Sequence, residues 1–551
     1  MTTFMDRKAR RMASFLWPVA FTAVACSSGK NSGHTGVRPA DAGLPNGGGT
    51  SAGGVAAGTA GVAGSMNAGG SPATGGAGNA GNAPGSGGTT GSAGATNTST
   101  GGATSTAGAT GGSAVWPSMG GDLASTYNNP KETLISVATA SKLAQAWTLD
   151  TSGAPTGTPA VVGNDVYVTA SSMTYLVDAK TGATKWTANV GATSSPAYAD
   201  GLLYVHDGTS NLHALDAATG VEKWVQKTNP HANAWGFSSP IVAGNLVIVG
   251  TSGSEEEATG NAPTFRGSVV ALDAKSGAMK WTFYTVDEMH NGATIWSSPT
   301  ADLEADMVFV STGNNYSGDA TDTSDAIIAL KLDTGDVLWK HQVMMDDVWS
   351  NYLTSMPPDT IDHDFGANPT LFEATIGGTP TKLVGAGTKG GVFYALNRMT
   401  GDLVWSKQVG PPTVLRGGML NNGAFDGKHI LVASNTGTSA SPGSEPLVSG
   451  IASVTSRLAA LDPATGDIVW DRQLGAAVWA PISVAGGVGF VSSENRFEAF
   501  DTSTGTRLIQ LPVAGTVVSA AVGIDGYVYL GSGMVYFTGV PATKFYAFKL
   551  N

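Results

Sequence analysis

The chain has 551 residues, of which 77 are glycine, one is cysteine and only 13% are charged; globular proteins average about 7% glycine and about 25% charged residues. A formal net charge of −12, from 29 basic and 41 acidic residues, argues against a nucleic-acid binder, which needs a basic face to displace counterions from phosphate. It argues equally against docking on an anionic membrane through basic residues, while the lone cysteine excludes a disulfide framework or a Cys-based zinc site within one chain.

Arg7, Lys8, Arg10 and Arg11 precede a mostly apolar run from Ala13 to Ala25. At about 13 residues that run is shorter than the roughly 20 needed to cross a bilayer, and it reads as the h-region of a signal peptide. It closes on Ala23-Val24-Ala25-Cys26-Ser27, which resembles the lipobox of bacterial lipoproteins. The resemblance implies lipidation of Cys26 and a membrane anchor. Ser27 stands where an inner-membrane retention signal would place Asp, which implies an exported lipoprotein at the outer membrane, periplasmic or on the cell surface. Arg10-Arg11 does not make a twin-arginine signal, because Ala13 stands where that motif favours Phe.

Residues 26–114 are mostly Gly, Ala, Ser, Thr and Asn, with no aromatic between Phe21 and Trp116 and no charge between Asp41 and Asp122. Such a stretch has too little apolar area to offset its chain entropy. It reads as a flexible tether with a root-mean-square reach of roughly 50 Å. The expected organisation is a signal peptide over residues 1–25, a lipidated tether over 26–114 and a folded domain over 115–551.

Within the folded domain a single phrase recurs: a β-rich run, an Asp or similar residue, Thr/Ser-Gly, three residues, then Trp. Copies end at Trp186, Trp224, Trp281, Trp339, Trp405 and Trp470, and a seventh ends at Ile509. The phrase reads as strand, tight Asp-x-x-x-Gly turn, strand. Most copies follow a second phrase, Ser/Thr-x-Pro then Val-x-Gly-Asn/Asp-x-Val-Tyr-Val, as over residues 158–168, which supplies two further strands. Four strands per repeat predict an all-β fold, a β-propeller of four-stranded antiparallel blades. Ala146–Leu149 reads as an outer strand lacking its partners, and Phe545–Leu550 as an inner strand lacking its Thr-Gly-x-x-x-Trp finish. Together they complete one blade, so both chain ends close a ring of eight and leave no open sheet edge.

From Trp147 the successive intervals are 39, 38, 57, 58, 66, 65 and 39 residues, against about 40 for a bare blade. Four consecutive blades therefore carry long insertions. Loops on a rigid scaffold are where sites are built, so chemistry is expected between Trp224 and Trp470.

The repeat phrase resembles the pyrroloquinoline quinone (PQQ) repeat, shared by quinoprotein dehydrogenases and by a non-enzymatic assembly lipoprotein of the outer membrane. Residues within the long blades separate the two. Ser252-Gly253-Ser254-Glu255, with Arg266-Gly267-Ser268 beyond it, is similar to a quinoprotein alcohol dehydrogenase segment; that resemblance implies cofactor contacts from Ser252, Gly253 and Arg266 and a metal ligand in Glu255. Glu256 is the alternative ligand, and a solvated acidic loop tip is the alternative reading of Glu255, Glu256 and Glu257. Thr294-Ile295-Trp296 and Thr312-Gly313-Asn314, with Trp296 and Asn314 18 residues apart, match the family's stacking Trp and its metal-binding Asn. An aromatic face under a planar conjugated ring is a sound physical use of Trp296, core packing being the plain alternative. Asp362-His363-Asp364-Phe365-Gly366 places Asp364 at the catalytic base, and Gly387-Thr388-Lys389-Gly390-Gly391 places Lys389 where the family reaches the quinone oxygens. Asn435 corresponds to an Asn near the quinone. Gly366 stands where lanthanide-dependent members carry a further Asp, so Ca²⁺ is the metal implied.

The resemblance spans Trp116 to Asn551 and leans towards polyvinyl alcohol dehydrogenases, through the Glu-Glu loop, Phe265–Asp273 and the Thr-Gly-Asn-Asn-Tyr phrase. It implies oxidation of a small or polymeric alcohol with PQQ and Ca²⁺ as cofactors, and a separate electron acceptor, cytochrome or membrane quinone. The adjacent cysteine pair found in many members is absent, and so is a fused haem domain. The competing expectation is a non-catalytic propeller lipoprotein acting as a scaffold or binding module; it predicts none of these motifs in family order.

Overall fold

The computed structural model describes residues 115–253, 261–350, 363–411, 417–436, 455–533 and 540–551; the expected signal peptide, Cys26 and the Gly-rich stretch lie outside them. Among the described residues the strands form eight sheets, each built on four antiparallel strands. Blade 1 comprises Ala160–Val162, Asp165–Thr169, Thr174–Asp178 and Thr184–Ala188. In blade 8, Leu143–Asp150 pairs with Lys544–Leu550, which runs beside Tyr527–Ser532. The expected closure by both chain ends holds, with the C-terminal strand third in its blade, just inside the outer strand Leu143–Asp150. Middle strands such as Leu246–Thr251 are buried along their whole length, while outer strands such as Met279–Tyr284 expose part of their length. Blades pack face to face, so a middle strand is covered on both sides.

The recurring Trp pins each blade to the next. Its indole Nε1 donates to a carbonyl of the following blade: Trp147 to Ala179 (3.1 Å), Trp186 to Ala217 (3.0 Å), Trp224 to Ala274 (3.2 Å), Trp281 to Leu332 (2.9 Å), Trp339 to Arg398 (3.0 Å), Trp405 to Pro463 (3.0 Å) and Trp470 to Thr502 (2.9 Å). Its ring lies on the turn glycine of that same blade. Gly182, Gly220, Gly277, Gly335, Gly401, Gly466 and Gly505 all have φ between +72° and +76°, and a Cβ on any of them would lie 2.5–2.7 Å from the indole. Glycine is thus required twice, for backbone hand and for contact. At the eighth boundary the chain opens between Leu550 and Leu143, no Thr-Gly turn exists, and Ile509 packs in the apolar cluster with Phe548 and Leu143. The missing Trp coincides with the missing glycine.

The second phrase explains itself through a ring of side-chain hydrogen bonds around the axis. Ala520 N donates to Thr158 Oγ1 (2.9 Å), Thr158 N to Ser195 Oγ (2.9 Å), Ser195 N to Ser239 Oγ (2.9 Å), Ser239 N to Ser298 Oγ (2.9 Å) and Ser298 N to Asn368 Oδ1 (2.6 Å). Asn368 N continues to Asn422 Oδ1. Each donor lies just before the first strand of its blade, where no sheet partner reaches it.

The segment after Val115 was not legible as a structural element. Val115–Trp116 adds to the first strand of blade 1. Backbone carbonyls of Pro117, Leu123, Ala124, Thr126 and Tyr127 then accept from Tyr198, Ala301, Leu371, Phe425 and Val484 at 2.8–2.9 Å, in the first strands of blades 2, 4, 5, 6 and 7. One short segment can reach so many first strands only because they converge on the axis. Trp116, Tyr127 and Ser125 are fully or almost fully buried there, and Tyr127 Oη accepts from Asn422 Nδ2 (2.6 Å) and Asn368 Nδ2 (3.2 Å). The axis is filled at this level.

Gly466→Ala should destabilise the protein by at least about 1–2 kcal/mol from the left-handed backbone alone, with more from the indole contact, measured by denaturant unfolding. In a Trp405→Leu background the contact component should vanish, leaving the two changes non-additive. A second prediction concerns blade 2, where His213 bridges Glu222 (Nδ1, 2.6 Å) and Asp207 (Nε2, 3.1 Å). Burial opposes the imidazolium, but the two carboxylates outweigh it and raise the His213 pKa. Stability from a raised pKa is fully present below the unfolded value near 6.5 and is lost as pH rises through the folded value. His213→Gln should therefore cost about 1 kcal/mol more at pH 6 than at pH 9, a difference read from paired denaturation curves.

Candidate active site

Four predicted site residues meet in loops of the long blades. Asp364 lies in the segment leading into the first strand of blade 5, Thr370–Ile376. Lys389 lies in the turn between Thr379–Gly387 and Val392–Asn397. Asn314 follows Met307–Ser311, and Trp296 precedes Thr300–Asp302. Backbone bonds tie these loops together: Lys389 N to Asp364 O (2.9 Å), Phe365 N to Thr312 O (3.3 Å), Gly313 N to Thr294 O (3.0 Å) and Ala293 N to Asn314 O (2.7 Å).

The Asp364 carboxylate is gripped at both oxygens. Oδ1 accepts from the backbone N–H of Asn314 at 2.7 Å, and Oδ2 accepts from Lys389 Nζ at 2.6 Å. Both side chains are largely buried, 5% exposed for Asp364 and 12% for Lys389. Gly313 makes the first contact possible, since a Cβ there would sit 2.7 Å from Oδ1. The Lys389 ammonium stands 5.2 Å from the centroid of the Trp296 ring. Asn314 is oriented by its amide nitrogen, which donates to Asn315 O (2.8 Å) and Trp349 O (2.7 Å); Oδ1 is the atom left to meet a ligand.

Comparison with known proteins covers the segments that carry these residues. Residues 227–411, which hold Arg266, Trp296, Asn314, Asp364 and Lys389, match the model of the glucose/ethanol/alcohol dehydrogenase β-propeller domain, the PQQ family. Residues 388–535 match the model of the outer membrane protein assembly factor BamB. A polyvinylalcohol dehydrogenase of Pseudomonas sp. is 29% identical over 463 residues, 76% of this chain and 71% of that protein. One of Sphingopyxis sp. is 29% identical over 464 residues, 73% and 69% of the two chains. The chain is similar to PQQ-dependent alcohol dehydrogenases. Its fold superposes on the quinohemoprotein alcohol dehydrogenase of Comamonas testosteroni with a TM-score of 0.65 at 22% identity, over 79% of this chain and 80% of that one.

The residues present suit the groups that this family implies. Two buried polar atoms in the loops around Asp364 and Lys389 have no partner among the described residues, His363 Nδ1 and Asn421 Oδ1, and such atoms call for a ligand or water. An indole face, a buried ammonium and uncommitted polar atoms are the chemistry that a flat, carboxylated quinone requires. Asn314 Oδ1 is a hard oxygen donor of the kind Ca²⁺ takes. Glu255 and Glu256 lie outside the described residues, among which no group of three or more His, Cys, Asp or Glu side chains is placed to hold a metal ion.

Other predicted residues are placed differently. Ser252 exchanges backbone hydrogen bonds with Trp235 (2.7 and 3.1 Å), and its neighbour Thr251 accepts from Ile295 N (3.1 Å), which brings Ser252 and Gly253 towards the Trp296 loop. A Cβ on Gly253 would collide with the Phe265 ring, so packing alone demands that glycine. Arg266 does not join the Asp364 cluster: its guanidinium lies 4.1 Å from the Tyr284 ring centroid and Nη1 donates to Val286 O (3.4 Å). The Asn435 amide is spent internally, with Nδ2 on Val478 O (3.1 Å) and Oδ1 accepting from Val478 N (2.9 Å) and Ser456 Oγ (2.5 Å). Its role is to latch the loop at Val478.

Sequence reasoning missed two residues. Asn421 is buried, and Leu420 beside it touches the position of Gly366. Asp347 is a second buried carboxylate, reached by His363 N at 3.4 Å; burial first, then the charge on Asp364, push it up to about 6. His363 itself is held below the usual histidine range by burial, against the pull of Asp364. No motif flags Asp347 or Asn421, because each is brought in by a long loop.

A Cβ on Gly366 would lie 2.5 Å from the Trp296 ring. Gly366→Ala should shift Trp296, costing about 1–3 kcal/mol and changing the tryptophan emission spectrum. Unchanged emission and stability would show that the ring does not rest on this glycine.

Proposed function

We propose that this chain is an extracytoplasmic PQQ- and calcium-dependent dehydrogenase that oxidises alcohols, polymeric ones included, and passes electrons to a separate cytochrome or membrane quinone. The observation that carries this reading is the Asp364 carboxylate, clamped between the Asn314 N–H and the Lys389 ammonium beside the face of Trp296. A structural ion pair has no need of an indole wall and uncommitted polar atoms next to it.

Bound PQQ supplies the carbonyl that accepts hydride, and Ca²⁺ the Lewis acidity that activates it. Asp364 accepts the hydroxyl proton of the alcohol at its carboxylate, which the two hydrogen bonds hold in one orientation. Lys389 keeps positive charge next to that carboxylate and to the reacting oxygens. Trp296 forms an apolar wall that excludes water. Asn314 would offer its amide oxygen to the metal, with Glu255 or Glu256 as the acidic ligand. Gly366, standing where lanthanide-dependent members carry a further Asp, supports calcium as the metal. The basic start, short apolar run and Cys26 support export and lipid anchoring at the outer membrane.

The test is a titration of the protein with PQQ, with and without Ca²⁺, followed by visible absorbance and a dye-linked alcohol panel. Stoichiometric, Ca²⁺-dependent binding is expected. Asp364→Asn should keep that binding and lose about 10²–10⁴-fold in rate. No binding at micromolar PQQ would sink the reading in favour of a non-catalytic propeller lipoprotein.

A further inference from the structure

Arg266, displaced from the Asp364 cluster, opens onto a cavity of about 760 Å³ between the outer regions of blades 3 and 4. Its charged lining is Arg266, Lys340, His290, Asp287, Glu288 and Asp322. The size falls within the roughly 300–1,000 Å³ of ligand pockets. Two of the long loops build it, the one following Met279–Tyr284 and the one between Met307–Ser311 and Ala326–Lys331.

Its chemistry is selective. Every basic side chain in the lining is already engaged: Lys340 by Asp322 at 2.5 Å, His290 by Asp287 at 2.6 Å, and Arg266 by the Tyr284 ring and Val286 O. An anionic ligand would have to break these pairs and would meet three carboxylates. The wall hydroxyls have committed their protons inward: Thr321 Oγ1 donates to Asn315 Oδ1 (3.0 Å), Thr285 Oγ1 to Gly267 O (3.0 Å), and Thr323 Oγ1 to Thr285 O. What these hydroxyls and carboxylates still offer is lone pairs, since an ionised carboxylate has about four acceptor sites. A largely apolar wall set with hydrogen-bond acceptors complements an uncharged ligand made of hydrocarbon and hydrogen-bond-donating hydroxyls, which describes a chain of alcohol hydroxyls.

The cavity is wired to the catalytic loop. Thr321 in its wall donates to Asn315 Oδ1 from both backbone N (2.8 Å) and Oγ1 (3.0 Å). The next residue back, Asn314, supplies the N–H that holds Asp364. The group that braces the cavity and the group that braces the proton acceptor therefore belong to adjacent residues.

We propose that this cavity is an accessory subsite that holds a neutral, polyhydroxylated segment of the substrate away from the carbinol being oxidised. The proposal rests on the dehydrogenase reading for its purpose, but its binding can be tested without turnover. Val337 lines the cavity and is 45% exposed at its rim, so Val337→Trp fills the space without entering the core. Equilibrium binding of polyvinyl alcohol to the full chain, prepared without added cofactor, should weaken about tenfold in Val337→Trp. In the loaded enzyme the same variant should raise KM for polyvinyl alcohol about tenfold and leave kcat/KM for 2,4-pentanediol unchanged. Glu288→Lys, which turns an acceptor into a donor at the cavity edge, should weaken polymer binding as well, and guards against a folding defect in the first variant. Equal polymer binding by the wild type and both variants, or no polymer binding by the wild type, would overturn the subsite. If polymer binding falls as expected but no alcohol is oxidised in the presence of PQQ and Ca²⁺, the subsite stands and the dehydrogenase reading fails.

Discussion

The rest of the molecule depends on the contact between an indole and a glycine with left-handed backbone. Each Trp closes two gaps at once. Its ring covers the turn of the next blade, and its N–H satisfies a carbonyl that this turn would leave without a strand partner. Because the glycine has positive φ and no Cβ, the two blades approach to van der Waals distance at one defined angle. Repeated at seven boundaries, that angle sets the ring. At the eighth boundary the two chain ends stand where the turn would be, and packing of Ile509 against Phe548 and Leu143 takes the place of the pin.

Two further devices work on the ring from inside. The Ser/Thr/Asn side chains ahead of the first strands pass hydrogen bonds from blade to blade, and the segment from Val115 to Asn129 threads the axis. Both satisfy backbone groups that a short innermost strand leaves exposed, and an unpaired buried N–H costs about 1–3 kcal/mol. Their combined effect is a scaffold whose inner rim cannot shift one blade without disturbing its neighbours. This is the stiffness that a site assembled from loops of different blades requires.

On that scaffold the site is a matter of loop reach. Asp364, Lys389, Asn314 and Trp296 come from separate loops and meet because backbone bonds join those loops directly. Gly313 and Gly366 are small for a reason that belongs to the site: one admits the Asp364 carboxylate to an N–H, the other admits the Trp296 ring edge. Arg266 shows the converse. Its motif is intact, yet Tyr284 and Val286 draw the guanidinium outward, to the cavity between blades 3 and 4.

Much of this was legible in the chain. Periodic Trp and Thr-Gly phrases reveal strands, turns and blade number because each repeat must make the same contact. The outsize intervals point to the blades that carry chemistry, and the resemblance to quinoprotein dehydrogenases picks out Trp296, Asn314, Asp364 and Lys389, which meet. Local patterns cannot carry what lies between repeats. Asn435 matched a motif but is consumed by Val478, 43 residues on; Asp347 and Asn421 follow no motif and are drawn in by tertiary contact; and the threading of Val115–Asn129 depends on first strands converging on one axis. Repetition is written along the sequence, whereas the direction of a side chain is decided by the partners that folding brings to it.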